Sequence, residues 1–149
     1  MYPDARLVLL HRDPVVLTGS VCGLIKTLSS TFTDVDHRAY IGEHWPTMLE
    51  ESVRRIDAFR DAHPERPIVD VQYTDLIDDP AATVRSIYAA VGDELGEAGA
   101  RAIAAYVDAH PRGQFGAHKY DVSEYGLDAD ELAERFSGYT DRYDVPREH

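Results

Sequence analysis

The apolar run Leu7-Val8-Leu9-Leu10 passes straight into His11-Arg12-Asp13-Pro14, and this join constrains the fold more than any other stretch of the chain. A run that is apolar on both faces suits a central parallel strand covered by helices on both sides. Asp13-Pro14 is a helix start, with aspartate as N-cap and proline at the first helical position. The join therefore predicts a strand over 6–11, a turn, and a helix over 14–28. Arg12 leaves the strand end, and Ser20 follows on the helix. A fixed cation and a hydroxyl delivered in this way suit a small anion, above all a phosphate. The alternative for Arg12 is an ion pair with Asp13 or another carboxylate. For Ser20 it is a hydroxyl bonded back to its own helical turn.

Further along, Ser29-Ser30-Thr31 reads as the polar break after the first helix. A long amphipathic helix is predicted over 45–63, with Met48, Leu49, Val53, Ile56 and Phe59 on one stripe, ended by Pro64 and Pro67. Ile68-Val69-Asp70-Val71 is the second strand, leading into Tyr73-Thr74-Asp75-Leu76. Asp79-Pro80 opens another helix that Gly92 closes. A helix over 97–110 and a glycine-, histidine- and tyrosine-rich loop over 111–123 come next. Asp128 and Glu131 have capping-box spacing, Leu132 and Phe136 continue that last helix, and the polar tail from Tyr139 is expected to fray. Two strands make no stable sheet alone, so the apolar helix faces require strands that this stretch lacks. Residues 1–149 read as one domain, and as part of one.

Charge narrows the possible partners. The 149 residues carry a formal net charge of −12. Nucleic acid and anionic membrane surfaces are excluded as partners, since both demand dense lysine and arginine. No apolar run approaches a membrane span, and Met1-Tyr2-Pro3-Asp4 is no signal peptide. The lone cysteine, Cys22, forms no internal disulfide, fits a reducing cytoplasm and reads as a small apolar core residue. An acidic chain that binds an anion must do so through individual arginines, each charged hydrogen bond contributing about 1.5–3 kcal/mol. Asp34, Asp36 and His37 have no further ligand at a motif spacing, so they read as a solvated loop and no metal is expected. His11, beside Arg12, reads as a strand residue directed to the opposite face, and Glu50, Glu51, Arg54 and Arg55 as surface ion pairs.

Four segments taken in order resemble the PAPS-dependent sulfotransferases, above all their bacterial branch; PAPS is 3′-phosphoadenosine-5′-phosphosulfate. They are Tyr2-Pro3-Asp4-Ala5 through Arg12-Asp13-Pro14 to Ser20; Val71 to Leu76 with Asp79-Pro80; Pro111 to Gly116; and His118-Lys119-Tyr120 with Tyr125-Gly126-Leu127. The resemblance implies an α/β, P-loop-like three-layer sulfotransferase fold of which this chain is the C-terminal part, with parallel strands and mostly helical content. It implies that Arg12 and Ser20 hold the 3′-phosphate of the co-substrate, that Tyr73 lies near the adenine, and that Arg112 and Gly113 close over the same phosphate. Pro111 stands where the family often has arginine. The family's glycine-rich loop for the 5′-phosphosulfate and its usual catalytic base belong upstream of this stretch, so no catalytic residue is assigned. The implied reaction moves a sulfuryl group from PAPS to a hydroxyl or amine of a small-molecule acceptor, without a metal. The implied partners are PAPS or its bisphosphate product, the acceptor, and a second copy or another chain supplying the N-terminal half. The alternative is a non-catalytic nucleotide-binding or interaction module on the same fold; a kinase-like phosphate binder is disfavoured by the missing Walker motif.

Overall fold

The computed structural model describes residues 4–111 and 121–148. In chain order the elements are β1 (Leu7–His11), α1 (Pro14–Ser30), α2 (Arg38–Ala62), β2 (Ile68–Gln72), α3 (Tyr73–Asp78), α4 (Pro80–Ala90), α5 (Glu97–Ala109), a 3-10 turn (Val122–Tyr125), α6 (Ala129–Arg135) and α7 (Ser137–Tyr143). The chain forms two compact units, Met1–His11 with Ala62–His118 and Arg12–Asp61 with Lys119–His149.

The first unit holds the sheet. β1 and β2 pair in parallel, with Leu7 opposite Ile68 and His11 opposite Gln72. His11 is buried, and its Nε2 lies 2.7 Å from Asp70 Oδ1, which joins the two strands by a side-chain contact as well as the ladder. Asp79 caps α4 by accepting from Ala82 N at 2.9 Å, and Gly92, at φ 79°, supplies the left-handed step that ends it. On the other face of β1, Val8 and Leu10 remain 47% and 45% exposed. The apolar run therefore has only one of its faces well covered among the described residues.

The second unit is helical. Cys22 on α1, Ile41 on α2 and Tyr125 on the 3-10 turn form one buried cluster, with Ile25, Trp45 and Leu127 packed against it. Val122, Leu132 and Phe136 form another, against Val15, Leu49 and Leu127. Cys22 is the core residue expected, and burial pushes its thiol pKa up.

The helix boundaries depart from expectation in several places. α1 runs on to Ser30 because the hydroxyls of Ser29 and Ser30 donate to the carbonyls of Ile25 and Thr27, at 2.6 and 2.8 Å, so residues typical of a loop are accommodated in the last turn. α2 begins at Arg38 and carries Pro46 inside it, fully buried; the lost backbone donor is tolerated where the ring packs. The segment from Tyr139 is not frayed: it lies in α7, whose Tyr143 hydroxyl donates to Asp57 Oδ1 and whose Arg142 reaches Asp57 and Asp61. Burial and the bond to Asp57 push the Tyr143 phenol up to about 12.

Asp128 accepts from the amides of Asp130 and Glu131 at 2.9 and 3.0 Å, as its spacing predicted. The helix it caps stops at Arg135, and Phe136 begins the turn into α7. Asp128→Ala is expected to lower stability by about 1 kcal/mol, the usual loss for an N-cap, read as a lower urea midpoint.

Candidate anion-binding site

The site is built on the residues that open α1. Asp13, only 6% exposed, is the N-cap: its Oδ1 accepts from Val15 N at 2.8 Å. Its second oxygen accepts from the backbone amide of Glu148 at 2.9 Å. The Glu148 side chain then meets Arg12 in a two-pronged pair, Nε to Oε1 at 2.9 Å and Nη2 to Oε2 at 3.1 Å. This is the parallel fork in which a guanidinium binds a carboxylate or a phosphate. The side chains of Arg12 and Glu148 are 25% and 19% exposed, so solvent screens the pair less than it would a surface ion pair. Of the alternatives for Arg12, the structure shows the ion pair, and its partner is Glu148 rather than Asp13.

Ser20 lies on the second turn of α1, on the face opposite the stripe formed by Thr18, Cys22 and Ile25. Thr18, Ser29 and Ser30 all bond back to their own helix. The half-buried Ser20 hydroxyl makes no such bond among the described residues. Tyr73 is the first residue of α3, immediately after β2, and is half-buried in the unit that holds the sheet. Arg112 and Gly113 lie outside the described residues.

A cleft of about 680 Å³ borders Glu148. Asp13, Asp130, Glu134, Asp141 and Asp144 line it together with Arg147, so its net field repels an anion. The cleft is therefore no substitute for the Arg12 fork as a phosphate pocket. Asp36 accepts from Arg38 N at 3.0 Å and from its Nε at 3.2 Å; the backbone bond to Arg38 is the main influence holding the Asp36 carboxyl below its usual range. Among the described residues no group of histidine, cysteine or acidic side chains is placed to hold a metal ion. No helix among them is long and apolar enough to cross a membrane. Glu51 binds Arg54 and Arg55, as the spacing suggested, whereas Glu50 reaches across to Arg135 on α6.

Sequence reasoning missed Glu148 and the anchoring role of Asp13. No local pattern signals either, because Arg12 and Glu148 are 136 positions apart.

The Sulfotransferase family model matches residues 1–97, a span that includes Arg12, Ser20 and Tyr73. Sulfotransferase STF9 from Mycobacterium avium superposes on the chain with a TM-score of 0.81 at 28% sequence identity. The superposition covers 97% of this chain and 37% of that one. No curated protein matches the chain significantly. The chain belongs to the sulfotransferase family and has its α/β fold, mostly helical here with two parallel strands. It spans little more than a third of the length of the mycobacterial relative.

Proposed function

We propose that this chain carries the nucleotide-anchoring part of a PAPS-dependent sulfotransferase. In this reading Arg12 and Ser20 hold the 3′-phosphate, Tyr73 stands near the adenine, and Arg112 and Gly113 complete the grip on the same phosphate. The complete enzyme would transfer a sulfuryl group from PAPS to a hydroxyl or amine acceptor. Such transfer depends on in-line positioning and charge stabilisation more than on covalent chemistry, so an anchored nucleotide is a large part of the work. The residues of this chain would bind and orient the donor; the group that takes the acceptor proton belongs to the rest of the domain.

The observation that carries the reading is the family match, whose span includes Arg12, Ser20 and Tyr73. In this structure Nε and Nη2 of Arg12 are held by the Glu148 carboxylate, the ion pair that is the alternative to an anion site, so a phosphate bound there would have to displace it. The Ser20 hydroxyl, uncommitted within the described residues, fits the second part of such a site. Fold and family membership support the same assignment.

The half-exposed Val8 and Leu10 favour a second element of the proposal, further polypeptide packed on this face of β1, whether from the same chain or from another. The same two residues would serve equally in a non-catalytic module that binds another chain.

Calorimetry with adenosine 3′,5′-bisphosphate and with adenosine 5′-monophosphate tests the proposal. The bisphosphate is expected to bind at least about tenfold more tightly, the equivalent of one charged hydrogen bond. Equal and negligible binding of both nucleotides overturns it and leaves the interaction module.

A further inference from the structure

We infer that Glu148 is an internal competitor for the anion at Arg12, a carboxylate that a bound phosphate must displace. The inference rests on the reading of Arg12 as the phosphate anchor. It adds the residue that must be displaced and the kind of group able to displace it.

Three features of the site combine. The Glu148 carboxylate takes the Nε–Nη2 edge of the guanidinium, a two-donor edge that also suits a phosphate. The carboxylate is delivered by the backbone, because the Glu148 amide is fixed to the buried carboxylate that caps α1. Among the described residues the bordering cleft offers a displaced carboxylate one cation, Arg147, against Asp13, Asp130, Glu134, Asp141 and Asp144. A ligand must therefore replace an anchored, singly charged oxyanion. A neutral ribose hydroxyl cannot do this, and another carboxylate gains nothing by doing so. A phosphate monoester carries up to two charges and three acceptor oxygens, and it can satisfy both arginine donors with an oxygen to spare. Glu148 thus raises the threshold for every ligand at this fork, and a phosphate monoester is the group best able to overcome it.

Calorimetric titration of the wild-type chain, Glu148→Gln, Arg12→Ala and the double variant tests this. Glu148→Gln is expected to bind adenosine 3′,5′-bisphosphate about tenfold more tightly than wild type, with little change for adenosine 5′-monophosphate. Glu148→Asp, which keeps the charge but draws it back by one methylene, is expected to fall between the two. In the Arg12→Ala background the Glu148 substitution is expected to change nothing, since the competition has lost its object. Urea unfolding of each variant verifies that all are folded under the titration conditions. Glu148→Gln and Glu148→Asp bound no more tightly than wild type, while wild type still prefers the bisphosphate through Arg12, overturns the inference and leaves the anchor reading intact. Absence of bisphosphate binding in wild type and both Glu148 variants overturns the anchor reading and the inference with it.

Discussion

Gly42→Ala is expected to destabilise the protein by about 3 kcal/mol, toward the upper end of the range for overpacked sites. A Cβ at position 42 would lie 2.0 Å from the carbonyl oxygen of Tyr125, 3.0 Å from its carbonyl carbon and 3.1 Å from its Cβ. These are chiefly backbone atoms of the 3-10 turn, so no flexible side chain can yield; α2 and the turn must separate. Alanine inside a helix is ordinarily about 1 kcal/mol better than glycine, and this gain is too small to offset the clash. Separation would also open the cluster of Cys22, Ile41 and Tyr125, in which Ile41 is the immediate neighbour of the substituted residue. Urea unfolding followed by far-ultraviolet circular dichroism measures the effect. A midpoint equal to or above that of wild type means that the close approach of α2 to Tyr125 is not present in solution.

Arg12→Ala is expected to remove the preference for adenosine 3′,5′-bisphosphate over adenosine 5′-monophosphate, a loss of roughly 10- to 100-fold in affinity for the bisphosphate. The guanidinium supplies two parallel donors, and the one cation on α1 itself, Lys26, pairs with Glu124. The substitution also leaves Glu148 without the partner that its carboxylate holds, so a reduced urea midpoint accompanies the loss. Arg12→Lys separates these effects. Lysine keeps the charge but not the planar fork, and is expected to recover stability better than it recovers selectivity. Selectivity unchanged in Arg12→Ala would move the nucleotide site elsewhere on the molecule.

Much of the framework was legible along the chain because its causes are local. An aspartate followed by proline opens α1 and α4 whatever lies around them, since the cap bond and the fixed proline φ act within one turn. Gly92 ends α4 for an equally short-range reason. The first apolar run was legible as a parallel strand because alternation is absent from it, and it pairs with β2 residue by residue. The boundaries that were misread are those where a local rule met a compensating contact: serine hydroxyls that bond back in the last turn of α1, and a proline whose ring is buried within α2.

The site divides in the same way. Arg12 and Ser20 could be singled out because a strand end and a helix start place them, and both features lie within a dozen residues. Glu148 could not, and the tail that carries it was expected to fray because its composition is polar. Its order comes from Asp57 under Tyr143, from the burial of Val145, and from Asp13 and Arg12 at the opposite end of the chain.

What the sequence determined by itself is the order and kind of the principal elements and the delivery of an arginine and a serine from one turn, because capping, proline geometry and apolar periodicity act between neighbours. What only the tertiary structure decided is which group the arginine holds, that the polar tail is ordered, and that position 42 must be glycine. Those outcomes depend on residues brought together by chain closure, and nothing in the spacing along the chain encodes such encounters.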